Sequence, residues 1–120
     1  MGAHVYDKDD DYPDFAYTAA QKVAEDSANN RAILICGSGA GVAITANKVK
    51  GVYCAQVWSA ELARGAREHD GVNAIAIGAR YIDESTALQC VEEFLKSEGA
   101  NAKRHRRRFQ KVQKIELSNT

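Results

Sequence analysis

The chain has 120 residues, of which 45% are hydrophobic and 27% are charged, as is typical of one globular domain. Lys and Arg together number 16, as do Asp and Glu, so the formal net charge is zero. No apolar run approaches the roughly 20 residues that span a bilayer, which excludes a transmembrane segment. The N-terminus is polar and acidic, unlike a secretory signal, so we expect a cytoplasmic protein.

Helices and strands are predicted to alternate along the first half of the chain. A helix over about 12–30 is indicated by apolar residues at helical spacing. The run 32–36 (AILIC) is apolar without alternation, which predicts a strand covered on both faces. A glycine-rich turn at 37–41 then leads into a short helix over 42–49.

The second half repeats this order, so the whole chain, residues 1–120, is predicted to be a single domain. Its predicted elements are a strand at 51–57, a helix at 59–69, a strand at 73–79, a helix at 85–96 and a basic helical segment at about 101–116. Strands that alternate with helices indicate βαβ units, so the predicted fold class is α/β with a parallel sheet. Three strands alone leave apolar sheet edges exposed. Either a partner chain covers an edge, or part of the fold is absent.

The segment from Cys36 to Gly41 has the strongest local signal for a ligand site. A glycine-rich turn between a strand and a helix directs several backbone N–H groups at one point, which favours an anion. A thiol at such a position is a candidate base or nucleophile, although Cys36 would equally serve as a small buried residue that closes the strand. The glycine spacing matches neither a dinucleotide fingerprint nor a Walker A loop. Three cysteines without a paired motif predict neither a disulfide framework nor a zinc site.

Two further candidates flank the strand at 73–79. His69 lies between acidic residues just before this strand, where an imidazole could shuttle protons near neutral pH. A solvated surface histidine is the plainer interpretation of that position. Arg80 comes directly after the strand 73–79, and the glycine-rich turn comes directly after the strand 32–36. The carboxyl ends of parallel strands lie on one side of a sheet, so we expect Arg80 and this turn to lie close together.

The basic run 103–108 (KRHRRR) allows three interpretations. It could form a solvated helix face, bind nucleic acid through phosphate contacts, or hold a small phosphorylated ligand through bidentate arginine contacts. Nucleic-acid binding is the least favoured, because the run has no interleaved aromatic residues and the chain has no net positive charge.

Four stretches of sequence carry a family resemblance. They are 11–16 (DYPDFA), 33–51 (ILICGSGAGVAITANKVKG), 66–80 (AREHDGVNAIAIGAR) and 103–108. In this order they resemble the ribose-5-phosphate isomerase B family, which includes galactose-6-phosphate isomerase subunits. The resemblance implies a Rossmann-like three-layer α/β/α subunit in a homodimer or tetramer, with active sites at the subunit interface. It implies cofactor-free, metal-free aldose–ketose isomerisation of a sugar phosphate through an enediolate, with ribose 5-phosphate as the expected substrate, and neither nucleic acid nor a membrane as a partner.

The resemblance also implies roles for individual residues. Cys36 matches the base, His69 matches the residue that opens the sugar ring, and Ser38 belongs to the hole that holds the enediolate charge. The substrate-binding residues that the resemblance implies are Tyr12, Gly37, Gly39, Gly41, Asp70, Arg80, Arg104 and Arg108.

The sequence departs from the family pattern in three respects. The resemblance implies that family members begin with a strand, a helix and a strand, about 35–40 residues that we expect to be absent here, in line with a five-stranded sheet of this class. Asp70 stands where the family has Asn, and its charge would oppose a phosphate unless an arginine neutralises it. The stretch 56–60 (QVWSA) differs from the family turn at the sugar pocket. Two alternatives therefore stay open: a catalytically impaired relative that keeps phosphate binding and dimerisation, and a galactose-6-phosphate isomerase-type subunit.

Overall fold

The computed structural model describes residues 11–100 and 102–119, so the start of the acidic N-terminal stretch and Asn101 lie outside the described residues. Helices and strands alternate within these ranges. In chain order they are α1 (Tyr12–Ala24), β1 (Ala32–Cys36), α2 (Ala40–Asn47), β2 (Cys54–Gln56), α3 (Ala60–Asp70), β3 (Ala74–Gly78), α4 (Glu84–Lys96) and α5 (Lys103–Ser118). No helix in the described ranges has both the length and the apolar character needed to cross a bilayer.

The three strands form one parallel sheet in the order β1-β3-β2. Cys36 at the end of β1 is in register with Gly78 at the end of β3. All five residues of β3 are buried, as expected for a central strand covered on both faces. The predicted α/β fold with a parallel sheet is confirmed. Because the strands are parallel, all their carboxyl ends lie on one side of the sheet, here called its carboxyl edge, and all their amino ends lie on the other, its amino edge.

Alternate residues of β3 face two different helix layers. Ala74 and Ala76 belong to the core beneath α1 and α2, where small side chains let helices approach closely. Ile75 and Ile77 belong to the core beneath α3 and α4, together with Phe94, whose side chain is fully buried. Burial of one such large side chain contributes about 1.5–3 kcal/mol. The molecule is therefore a three-layer α/β/α sandwich around a small sheet.

The first helix is shorter than the sequence pattern predicts. The prediction that it extends to about residue 30 is wrong, since α1 ends at Ala24 and turns follow. The Asp26 carbonyl accepts hydrogen bonds from the N–H groups of Asn29 and Asn30, and the Asn30 side chain donates to the Lys22 carbonyl. Asparagine side chains that bond to nearby backbone favour such turns over a continued helix.

The second strand is also shorter than predicted. The side chain of Asn73 binds the backbone of the residues that precede this strand. Tyr53 N–H donates to Asn73 Oδ1 at 2.8 Å, and Asn73 Nδ2 donates to the Gly51 carbonyl at 2.9 Å. Gly51 has a φ of +88°, in the left-handed region that favours glycine. Residues 51–53 therefore lie before the strand, and the predicted strand 51–57 is limited to Cys54–Gln56. The remaining predicted boundaries differ from the structure by one or two residues.

One residue contradicts the prediction that β1 is covered on both faces. Leu34 is buried, but Ile35 is 62% exposed. Ile35 is in register with buried Ile77, yet β1 pairs with β3 alone and is an edge strand. The expectation that a three-stranded sheet leaves an apolar edge uncovered is thus confirmed within the described residues.

The C-terminal helix α5 is attached to the body by Tyr53 and Glu116. Tyr53 Oη donates to Glu116 Oε1 at 2.8 Å, and the Tyr53 ring meets Phe109 edge-on with centroids 4.9 Å apart. Burial and the neighbouring Glu116 carboxylate raise the pKa of Tyr53 to about 12, so the phenol stays protonated and donating at neutral pH. This attachment brings the first turns of α5 to the end of α3.

Candidate functional site

The loop from Cys36 to Gly41, here called the thiol loop, connects β1 to α2. The Gly39 N–H donates to Cys36 Sγ at 3.1 Å, and the Ala40 N–H donates to Ser38 Oγ at 3.2 Å. Gly39 has a φ of +84°, which a residue with a side chain adopts only with strain. The Cys36 sulfur therefore accepts a backbone hydrogen bond beside the start of α2.

Close packing against β3 fixes the position of the thiol loop. A Cβ added at Gly78 would lie 2.6 Å from the carbonyl carbon of Ser38, so the loop crosses the end of β3 only because Gly78 has no side chain. The Arg80 N–H donates to the Gly37 carbonyl at 3.0 Å. The Arg80 guanidinium covers Gly37, where an added Cβ would lie 2.9 Å from Arg80 Cζ. The Arg80 cation therefore lies beside the loop that holds the thiol.

Tyr12 borders the thiol loop on the side of α1. A Cβ added at Gly41 would lie 2.5 Å from Tyr12 Cζ, and the tyrosine is 50% exposed. Seven predicted site residues thus meet at the carboxyl edge of the sheet, and we call them the thiol cluster. They are Tyr12, Cys36, Gly37, Ser38, Gly39, Gly41 and Arg80.

A cavity of about 400 Å³ opens beside the thiol loop, within the size range of small-molecule pockets. Its lining combines the loop and the ends of β2 and β3 with two exposed aromatic residues, Trp58 and Tyr81. The full lining is Ser38, Gln56, Val57, Trp58, Gly78, Tyr81 and Ile82. The stretch 56–60, which departs from the family pattern, therefore contributes directly to the lining of this cavity.

The four remaining predicted residues lie around His105 at the end of α3 and the start of α5. Together with His105 we call them the histidine cluster: His69, Asp70, Arg104 and Arg108. The imidazoles of His69 and His105 stack with centroids 4.6 Å apart. Desolvation lowers the pKa of His105, and nearby positive groups, first among them Arg104, lower it further, while Asp70 acts in the opposite direction. His105 is therefore biased towards the neutral form at neutral pH. Asp70 and Arg108 line a common cavity, and both are close enough to His105 to act on its pKa, in opposite directions.

The thiol cluster lies at the carboxyl ends of the parallel strands, and the histidine cluster lies at their amino ends. Helix α3 starts beyond the carboxyl end of β2 and runs 11 residues back to Asp70, a length of about 16 Å at 1.5 Å per residue. His69 is in its last turn, just before β3 begins at the amino edge. No hydrogen bond, ion pair or ring contact joins the two clusters within residues 11–100 and 102–119. A single chain does not bring the eleven predicted residues together.

Sequence reasoning missed two contacts in these clusters. The side chain of Gln56, at the carboxyl end of β2, donates from Nε2 to the Ser38 carbonyl at 2.8 Å. Its position at a strand end was the available signal, since such residues face the ligand crevice of a parallel sheet. His105 was visible only as part of a basic run, and no local pattern indicated that it stacks on His69.

The other two cysteines differ from Cys36 in environment. Burial raises the pKa of the Cys54 thiol to about 12 and also raises that of Cys90. All three cysteines are free thiols. Cys54 and Cys90 are therefore protonated and unreactive at neutral pH.

Comparisons with known proteins point to one family. The chain matches the family model described as ribose/galactose isomerase over residues 1–112. It is 42% identical over 116 residues to the probable ribose-5-phosphate isomerase B of Mycoplasma genitalium, which covers 97% of this chain and 76% of that protein. It is 44% identical over 108 residues to ribose-5-phosphate isomerase B of Mycobacterium leprae, covering 90% of this chain and 66% of the relative.

Solved structures agree with the sequence comparisons. The crystal structure of ribose-5-phosphate isomerase B from Mycoplasma genitalium with bound ribulose 5-phosphate matches with a TM-score of 0.94 at 42% identity, covering 100% of this chain and 78% of that one. The enzyme of Clostridium thermocellum gives a TM-score of 0.91 at 37% identity and covers 100% and 79%. The chain thus spans 66% to 79% of the length of these proteins.

Proposed function

Because the chain belongs to the ribose/galactose isomerase family, we propose that it interconverts ribose 5-phosphate and ribulose 5-phosphate, an aldose–ketose isomerisation. The observation that carries this proposal is the thiol loop, where Cys36 Sγ accepts the Gly39 N–H at 3.1 Å beside the start of α2. Proton transfer between adjacent carbons needs a base and an anion hole close together. The names of the relatives and the ribulose 5-phosphate in a related structure support the choice of substrate.

In this proposal, the Cys36 thiolate removes the proton on C2 of the open-chain aldose. The C2–H electron pair forms a C1–C2 double bond, and the carbonyl oxygen on C1 takes up negative charge. The same thiol then returns the proton to C1, while the hydroxyl proton on O2 passes to O1 and O2 becomes the new carbonyl oxygen. The oxidation of C2 balances the reduction of C1, so the reaction requires no external oxidant or reductant.

The thiol loop supplies the groups that stabilise the enediolate. The N–H groups of Gly39 and Ala40 are engaged within the loop, so this proposal assigns the stabilisation of the enediolate oxygen to the Ser38 hydroxyl and to the remaining N–H groups of the loop, among them that of Gly41. An N–H group in the first turn of an α-helix has no partner within the helix. A single hydrogen-bond donor to such an oxyanion contributes about 2.7–4 kcal/mol in well-studied enzymes.

The active site in this proposal contains residues from two copies of the chain. The thiol cluster of one copy supplies the base and Arg80, and the histidine cluster of the other supplies His69 for ring opening, with Arg104 and Arg108 for the phosphate. The position of the two clusters at opposite ends of the strands of one chain, with α3 running about 16 Å from one end to the other, supports this division. A two-fold symmetric homodimer then contains two equivalent sites. In this proposal Arg108, which lines the same cavity as Asp70, offsets the repulsion between that aspartate and the substrate phosphate.

Several broader predictions accompany this proposal. The chain acts as one isomerase domain in the cytoplasm, without metal or cofactor, and the basic run of α5 holds a sugar phosphate rather than nucleic acid. The arrangement of Arg104 and Arg108 beside His105 supports this use of the basic run, because their positive charges act at one point of the histidine cluster.

The proposal is tested by measuring ribulose 5-phosphate formed from ribose 5-phosphate by the purified chain, with and without prior treatment with a metal chelator. We expect enzymatic turnover that the chelator leaves unchanged. Turnover of galactose 6-phosphate instead would assign the chain to the hexose-phosphate branch of the family. A folded chain that binds phosphate ligands and turns over neither sugar would contradict the proposal and identify a catalytically impaired relative.

A further inference from the structure

Gln56 extends from one edge strand of the sheet to the loop that follows the other. The strand order is β1-β3-β2, so β3 separates β2 from β1 and the thiol loop. The side chain of Gln56 nevertheless donates from Nε2 to the Ser38 carbonyl at 2.8 Å. This contact is possible because the loop lies directly on Gly78 at the end of β3, where a side chain would displace it.

The peptide between Ser38 and Gly39 couples this hydrogen bond to the thiol. In a planar trans peptide, the C=O and the N–H point in opposite directions. The C=O of this peptide accepts from Gln56 at 2.8 Å, and its N–H donates to Cys36 Sγ at 3.1 Å. Rotation of one peptide plane would therefore break both hydrogen bonds together.

This peptide needs an external contact to fix its orientation. Gly39 adopts a φ of +84°, and glycine populates positive and negative φ about equally. The peptide before it can therefore reverse without the steric cost that any other residue would impose. A reversed peptide would direct the Ser38 carbonyl oxygen at the sulfur in place of an N–H group, and this would oppose negative charge there.

We infer that Gln56 is a positioning residue for Cys36. By holding the Ser38 carbonyl, Gln56 directs the Gly39 N–H at the sulfur and favours the thiolate over the thiol. Its effect on turnover rests on the proposed function, whereas its effect on the reactivity of the thiol concerns the chain without substrate. The two effects are therefore measured separately.

The test compares the chain with Gln56→Met, which keeps the side-chain length and removes the donor. The rate of Cys36 alkylation by iodoacetamide is measured from mildly acidic to mildly alkaline pH. We expect the rate at neutral pH to fall about three- to tenfold, as loss of one hydrogen bond would give. The pH of half-maximal rate should move upward while the alkaline plateau stays the same. A general disturbance of packing would instead change the plateau, because it alters access of the reagent to the thiol.

Three controls isolate the effect. Cys36→Ala measures background alkylation, which is expected to be low because the pKa of Cys54 is about 12 and Cys90 is buried. Asn30→Leu removes a matched exposed bond from a side-chain amide to a backbone carbonyl, that of Lys22 at 2.8 Å, and should leave the alkylation profile unchanged. Gln56→Glu replaces the donor by a carboxylate that repels the carbonyl, and should slow alkylation at least as much as Gln56→Met.

The outcomes separate this inference from the proposed function. If both Gln56 variants remain folded and alkylate with the profile of the parent chain, the inference is wrong. If Gln56→Met slows alkylation in a parent chain that has no isomerase activity, the inference holds and the proposed function fails. In an active chain we expect kcat for ribose 5-phosphate to fall about three- to tenfold with little change in KM. A rise in KM with unchanged alkylation would make Gln56 a substrate contact and contradict the inference.

Discussion

Replacing Cys36 with alanine is expected to lower kcat for ribose 5-phosphate at least about a thousandfold, within the range that a general base contributes. The phosphate-binding arginines are unaffected by this change, so the Kd of a non-reactive phosphate ligand should stay within about threefold of the parent value. Turnover is measured as ribulose 5-phosphate formed, and binding by calorimetry.

The matched control for this change is Cys54→Ala. Cys54 is likewise a half-buried strand cysteine that packs against the same core as Cys36. Burial raises the pKa of its thiol to about 12, so it cannot act as a base at neutral pH. We expect Cys54→Ala to retain most of the activity. If Cys36→Ala keeps substantial turnover, or loses ligand binding as fully as it loses turnover, Cys36 is a packing residue and not the base.

Replacing Gly78 with alanine is expected to have the second largest effect, because the new methyl group would occupy the position of the thiol loop. Its Cβ would lie 2.6 Å from the carbonyl carbon of Ser38, and backbone cannot rotate away as a flexible side chain can. The loop must therefore shift by roughly 1 Å, and a displacement of that size in a catalytic group can lower kcat about a hundredfold. The free energy of unfolding should fall by about 1–3 kcal/mol from overpacking.

Gly65→Ala provides the comparison for Gly78→Ala. Gly65 lies inside α3, and an added Cβ there would meet only the His69 ring at 3.7 Å, an ordinary contact. Alanine in a helix interior is favoured over glycine by about 1 kcal/mol, so we expect this variant to be at least as stable as the parent, and active. Chemical denaturation and kcat are measured for both variants. A fully active Gly78→Ala chain would show that the position of the thiol loop is not critical.

The sequence predicted the order of helices and strands because this information is local. Continuous apolar runs such as 74–78 identify strands buried on both faces, and glycine spacing identifies the turn after Cys36. The thiol cluster was predictable for the same reason, since residues that follow neighbouring parallel strands meet at one edge. Cys36 and Arg80 are such a pair.

Features that depend on the order of strands in the sheet were not predictable from local patterns. Exposure of Ile35 follows from the edge position of β1, although the run 32–36 has the composition of a central strand. The hydrogen bond from Gln56 to Ser38 crosses the end of β3, which lies between β1 and β2 although these two strands are successive in sequence. The early end of α1 and the short β2 depend on hydrogen bonds between asparagine side chains and the backbone. These bonds favour turns where the apolar pattern alone predicts a longer helix or strand.

The most direct test of the shared active site is a mixing experiment with two inactive variants. Cys36→Ala disables the thiol cluster, and His69→Ala disables the histidine cluster. Each variant alone should have little activity as a homodimer. In a mixed dimer of the two, one site combines both substitutions, while the other combines an intact thiol cluster with an intact histidine cluster from the second copy.

The chains are co-expressed with different affinity tags, and isomerase activity is measured on the unseparated dimers. Random assembly makes about half of the dimers mixed, each with one intact site of two, so we expect about a quarter of the parent specific activity. Purified mixed dimers should reach about half. If mixed dimers are as inactive as the two homodimers, each chain builds its site from its own residues or the clusters do not cooperate, and the proposed shared site is wrong.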